Sequence, residues 1–203
     1  MLTHTAKLLI SFSLSFLSVG LYVYFRGNER SLCMIAMLLS TVGDLFMTDT
    51  FNMGAASTYP GAAGFILAHI VYAVCFVKAG KDKGYRLANR GLYAGMGLTL
   101  AVVIVLTVLM FKITGSIQGM YFPLLAYLAI IGLNLCCQFS YAVNEKGLRY
   151  FLIVGMSLFI ISDMVVFLPM LNISPEHNDF VWATYAPAQL LIILFNSDMR
   201  KQK

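Results

Sequence analysis

LRYFLIVGMSLFIISDMVVFLPML, residues 148–171, is the stretch that decides the fold. It is apolar almost throughout, and at about 1.5 Å per residue a helix of this length outreaches the roughly 30 Å of hydrocarbon in a bilayer. From Met156 onward only Ser157, Ser162 and Asp163 interrupt the apolar run. A carboxylate held inside such a helix is expensive and by default marks a site.

Working outward, six more stretches share this character, at residues 8–25, 31–47, 61–77, 92–111, 120–143 and 180–195. The whole chain agrees with them: of 203 residues 60% are hydrophobic and only 11% charged, and the mean hydropathy is +0.80. That composition excludes an ordinary soluble domain. The expectation is an all-α polytopic membrane bundle of seven transmembrane helices. No linker, low-complexity run or shift in composition divides it, so residues 1–203 read as a single membrane domain.

The basic residues fall in alternate loops. Arg26 and Arg30 lie in the first, Lys78, Lys81, Lys83, Arg86 and Arg90 in the third, Lys146 and Arg149 in the fifth, and Arg200, Lys201 and Lys203 in the tail. Of the 14 lysines and arginines only Lys7 and Lys112 fall on the other side. Positive loops stay cytoplasmic, so the chain is expected in the cell membrane with its N-terminus out and its C-terminus in. The net charge of +5 then reflects topology and anionic lipid, not nucleic acid. A cleaved signal peptide over residues 8–25 would use Ser18-Val19-Gly20, but the charge after the segment exceeds the charge before it, the wrong sign. Cys33, Cys75, Cys136 and Cys137 all lie inside spans without CxxC spacing. They read as small apolar residues, and no disulfide is implied.

Asp163 has a counterpart. Leu39-Ser40-Thr41-Val42-Gly43-Asp44, followed by His69, matches Phe159-Ile160-Ile161-Ser162-Asp163, followed by Gln189, at nearly equal spacing. With the topology above, both copies run in the same direction, as in parallel repeats about an axis along the membrane normal. Three helices, one connector and three helices is the grouping this suggests.

Depth tests whether these groups share a site. Counting about 1.5 Å per residue from the outer end of each span, Asp44 lies about 5 Å down, and His69, Tyr127, Asp163 and Gln189 lie about 10 to 13 Å down. Tyr72 stands three residues after His69 and Tyr185 four before Gln189, spacings that place each pair on one helix face. Each residue also has a plainer reading. Asp44 could be solvated at the interface with Asp49, Asp163 could be an interhelical hydrogen-bond partner, and His69 alone is a packing residue. Tyr127, Gln189 and Asn134 could be interhelical glue, and Ser40 and Ser162 can bond back to their own helix. Glue has no reason to gather in one leaflet, so the set reads as a site. Two carboxylates in low dielectric also repel, which separates their proton affinities and lets one act as acid and the other as base.

In its motifs the chain resembles the lysoplasmalogenase (YhhN-like) membrane proteins, marked by a Leu-rich Gly-Asp segment, a Gly-His-x-x-Tyr helix, an isolated Tyr, a Gly-x-x-Phe-x-x-Ser-Asp helix and a closing Tyr-x-x-x-Gln. Here stand Gly43-Asp44, then Ala68-His69 with Tyr72, then Tyr127, then Gly155 through Phe159 to Ser162-Asp163, then Tyr185 to Gln189. Ala68 replaces the family's glycine. Family members are often read with eight spans and a Lys-Pro pair opening the second; here seven spans appear, with Lys7-Leu8 where that pair would stand, so the family's first helix is expected to be missing.

The resemblance implies hydrolysis of the vinyl ether of a lysoplasmalogen to a fatty aldehyde and a glycerophospho-base. It implies Asp163 as general acid and Asp44 as stabiliser of the cation or activator of water, with the exchange of these roles open. His69 would orient a carboxylate or bind phosphate, while Tyr72, Tyr127, Tyr185, Gln189 and Ser162 would hold water and the glycerol backbone. No cofactor or metal is called for; the expected partners are the lysophospholipid substrate and membrane lipid, with oligomeric state open. The rival is a small-solute carrier with a midspan polar site, although Pro187 has no counterpart inside the third span. A retinal receptor fails because the seventh span has no lysine. A zinc hydrolase is disfavoured because His4 and His177 lie outside the spans, leaving His69 where about three protein ligands are wanted.

Overall fold

A computed structural model describes residues 2–114, 121–145, 147, 149–166 and 178–195. Among the described residues every regular element is helical: α1 (His4–Phe25), α2 (Asn28–Met47), a single 3-10 turn (Gly54–Ser57), α3 (Thr58–Asp82), α4 (Arg90–Thr114), α5 (Tyr121–Asn144), α6 (Arg149–Val166) and α7 (Asn178–Phe195). The seven α-helices coincide with the seven expected spans. Five, α1 to α5, are each long and apolar enough to cross a membrane. The described parts of α6 and α7 are 18 residues each, about 27 Å. Residues 167–171 of the sixth span lie outside the described residues, as do His177, Lys146, Arg200, Lys201 and Lys203.

Short connections make neighbours antiparallel. Arg26, at φ 42°, turns the chain between α1 and α2. Between α2 and α3, Asp49 and Asn52 both take left-handed backbone, φ 54° each, and the Asp49 carboxylate accepts from the Met53 and Gly54 amides at 2.7 and 3.0 Å. Asp49 therefore holds the turn and does not share water with Asp44, which is 3% exposed. The interfacial alternative for Asp44 is thereby corrected: no solvent shell surrounds it.

Pairing follows the order α1–α2–α3–α5–α6–α7, and α7 returns to α1, closing a ring against which α4 leans through α5. Each contact in the first three helices has an equivalent in the last three: α1–α2 with α5–α6, α2–α3 with α6–α7, and α3–α5 with α7–α1. The three-one-three grouping is thus visible in which helices touch. At α2–α3 the approach is close enough to require glycine. A Cβ on Gly64 would stand 2.9 Å from the Gly43 Cα, and one on Gly43 would stand 3.1 Å from the Gly61 carbonyl oxygen. Small residues of this kind let membrane helices pack backbone to backbone.

The two ends of the ring differ. At one end Leu2 N–H donates to Asp179 Oδ1 at 2.8 Å, and Thr50 Oγ1 meets His4 Nε2 at 3.3 Å. At the other, Arg30 Nη1 donates to the Ile193 carbonyl at 2.6 Å, where the last carbonyls of α7 need donors. Lys83 Nζ pairs there with Glu145 Oε1 at 2.5 Å. The described basic residues of the first and third loops gather at this second end, as their alternation along the chain requires.

Candidate active site

Asp44 lies in the last turn of α2, on the face turned towards α1 and α7. Its Oδ2 accepts from Ser11 Oγ of α1 at 2.6 Å and from the Tyr185 hydroxyl of α7 at 2.9 Å. Ser11 Oγ also lies 3.2 Å from Thr41 Oγ1, which is 2.5 Å from Ser15 Oγ and donates back to the Met37 carbonyl. From Tyr185 the network runs on to Gln189, whose Nε2 donates to the phenol oxygen at 3.3 Å. Gln189 Oε1 in turn accepts from Tyr72 of α3 at 2.9 Å. The helix-face pairing of Tyr185 with Gln189 is present as read; Tyr72 serves Gln189 and not the His69 beside it.

Asp163 lies near the described end of α6. The Tyr127 hydroxyl of α5 donates to its Oδ2 at 3.3 Å, and His69 Nε2 of α3 stands 3.6 Å from the same oxygen. On the far side of the ring, His69 Nδ1 meets Asn134 Nδ2 of α5 at 2.9 Å. Asn134 therefore touches a candidate catalytic group, where the sequence suggested helix glue. Gln138, one turn further along α5, donates from Nε2 to Asn134 Oδ1 at 3.3 Å.

The two carboxylates occupy related places in the ring. Each takes one partner from the preceding helix of its own half, Ser11 or Tyr127, and one from the third helix of the other half, Tyr185 or His69. The spatial counterpart of His69 is thus Tyr185, where the sequence repeat aligned it with Gln189. Phe159 stands between the nests, its ring 4.7 Å from His69 and 5.5 Å from Tyr185. Phe65 and Trp182 complete the apolar wall around Tyr185, at 6.0 and 5.5 Å.

All eight sequence-derived candidates are buried, but Ser162 stands apart. Its hydroxyl donates across to the Val181 carbonyl of α7 at 3.1 Å, so it ties two helices together and does not bond back along its own. Ser11 was missed. The signal was present, because Lys7, Ser11, Ser15 and Ser18 form one buried stripe on α1 at helical spacing. Among the described residues no group of three His, Cys, Asp or Glu could hold a metal ion.

The arrangement offers two carboxyl groups in unlike company, walled by aromatic rings. Hydroxyls both donate and accept, so the surroundings of Asp44 suit a carboxylic acid or a carboxylate. The Asp163 carboxyl has a phenol and an imidazole as its polar neighbours. A family model, that of the YhhN family, matches residues 2–195 of the chain. No curated protein and no solved structure matches it.

Proposed function

The chain belongs to the YhhN family, and from that premise we propose that it is a membrane hydrolase that cleaves the vinyl ether of lysoplasmalogens with Asp44 and Asp163. The observation that carries this reading is the pair of buried carboxylates in unlike company, whose neighbours Tyr185 and His69 both pack against the Phe159 ring. Vinyl ethers hydrolyse through slow protonation at carbon, which forms an oxocarbenium ion that water then captures. One group must give up a proton, and another must stabilise the cation and accept a proton from water.

The surroundings support Asp44 as the acid and Asp163 as the base, the exchanged form of the assignment made above. The Asp44 carboxyl transfers its proton to the outer vinyl carbon, leaving a carboxylate and an oxocarbenium ion. Water adds to the cationic carbon and loses a proton to Asp163, giving a hemiacetal. As the hemiacetal collapses, its hydroxyl proton returns to Asp44 and the Asp163 proton goes to the departing glyceryl oxygen. One water is consumed, both carboxyl groups end as they began, and the products are a fatty aldehyde and a glycerophospho-base. Tyr127 and Tyr185 hold the two carboxyl groups, and Phe65, Phe159 and Trp182 shelter the cation from bulk water. In the same reading the basic end of the ring faces the cytoplasm.

Incubation of the purified protein with a lysoplasmalogen and with its saturated ether analogue tests this. Aldehyde should appear from the vinyl form alone. Release from neither would remove the hydrolase reading in favour of a small-solute carrier, for which the repeated helix pairing speaks.

A further inference from the structure

We infer that Asn134 is a positioning residue that dictates which nitrogen of His69 carries the ring proton, and so aims an N–H at Asp163. An imidazole has two nitrogens, and the partner of one fixes the state of the other. Asn134 presents its amide nitrogen to His69 Nδ1 at 2.9 Å. An amide NH2 has no lone pair to offer, so Nδ1 must be the acceptor and the proton of the neutral ring resides on Nε2. That nitrogen is the one 3.6 Å from Asp163 Oδ2.

The Asn134 amide takes its orientation from Gln138 in turn. Its Oδ1 accepts from Gln138 Nε2 at 3.3 Å, and Gln138 Nε2 is also held 3.4 Å from Met156 Sδ. Turning the Asn134 amide over alone would set its NH2 against the NH2 of Gln138. Asn134 and Gln138 are wholly buried and His69 is 1% exposed, so water is poorly placed to repair such a mismatch. The result is a one-way series of donors: Gln138 to Asn134, Asn134 to His69, His69 towards Asp163. The Asp44 nest holds only hydroxyls and an amide by contrast, and hydroxyls reverse freely.

The inference rests on the hydrolase reading for its kinetic consequence but not for its structural one, and the two are measured separately. The full chain, carrying His4→Gln and His177→Gln so that His69 is the only histidine, is labelled with 15N-histidine, reconstituted in phosphatidylcholine nanodiscs and examined by NMR for the protonated ring nitrogen. The expected result is a proton on Nε2, moving to Nδ1 in the Asn134→Asp variant, whose carboxylate can only accept. A proton on Nδ1 with Asn134 in place overturns the inference without any further variant. So does an unchanged tautomer in Asn134→Asp.

If lysoplasmalogen is the substrate, Asn134→Asp also lowers kcat about a hundredfold or more with little change in KM, as wrong-tautomer variants of histidine-dependent enzymes do. Asn134→Leu serves as the packing control, expected to give mixed tautomers and an intermediate kcat. A kcat for Asn134→Asp equal to that of the parent, in a protein whose tautomer has moved, overturns the positioning role. A parent that releases no aldehyde while its proton sits on Nε2 refutes the hydrolase reading and leaves the assignment of Asn134 standing.

Discussion

The Asp44 and Asp163 nests are built on one plan and finished differently. Each carboxylate lies near the end of the second helix of its half and has one polar neighbour from each half of the ring. Asp44 accepts from Ser11 and Tyr185, both hydroxyls; Asp163 accepts from Tyr127 and has the imidazole of His69 3.6 Å away. The helix pairing places the groups and the side-chain chemistry differentiates them. Two equal carboxylates would compete for one role, whereas acid–base work needs partners that hold their protons unequally.

The largest expected effect comes from abolishing the comparison altogether. Asp44→Asn and Asp163→Asn should each lower aldehyde release from a lysoplasmalogen by about 10²–10⁴-fold, the range typical of a general acid or base, with thermal stability in detergent retained. Activity in the double Asn variant would sink the catalytic assignment of both.

Unequal damage should follow from trimming the donors. A polar group beside a charged carboxylate stabilises it by more than a hydroxyl stabilises a neutral carboxyl, where a hydrogen bond is worth about 1 kcal/mol. His69→Phe should therefore cost about tenfold more in kcat than Tyr185→Phe, since only Asp163 is cast as the resident anion. Equal losses, or a larger loss for Tyr185→Phe, would reverse the roles of the two aspartates.

A smaller effect tests the placement of one nest without touching its chemistry. Gly64→Ala forces a methyl group against the Gly43 backbone and should destabilise the protein by about 1–3 kcal/mol through overpacking. Because Gly43 precedes Asp44, activity should fall further than in Gly155→Ala, whose Cβ would meet Leu191 Cβ at 3.0 Å, a side chain in α7. The two variants are compared by thermal unfolding and by kcat. Smallest of all, Ser162→Ala should lower stability by about 0.6 kcal/mol, the mean for hydrogen bonds between membrane helices, and leave kcat within twofold, because its hydroxyl is engaged with the Val181 carbonyl. A large loss of kcat would restore Ser162 to the substrate.

Much of the site is legible before folding. Asp163 stands out because nothing in its helix offsets its cost, and Tyr185 with Gln189 because residues four apart share a face. Ser11 is illegible as a ligand of Asp44, since a serine in an apolar helix satisfies itself on its own backbone as readily as on a neighbour. Asn134 is equally mute. The assignment of Tyr72 to Gln189 and of His69 to Asp163 turns on rotations of α3 against α7, α5 and α6 that no spacing along α3 contains.

By itself the sequence determined that the chain is a seven-helix membrane-type bundle with its described basic loops at one end, because hydrophobic length and charge alternation are properties of each segment taken singly. It also placed two aspartates within apolar spans, while the burial of Asp44 was decided by the packing of α1 and α7 against it. Only the tertiary structure decided that those helices close into a ring with α4 outside, that His69 answers to Tyr185 across the repeat, and that hydroxyls surround one aspartate while an imidazole lies beside the other. Those facts depend on which helix faces meet, and packing between helices sets that over distances that local periodicity cannot reach.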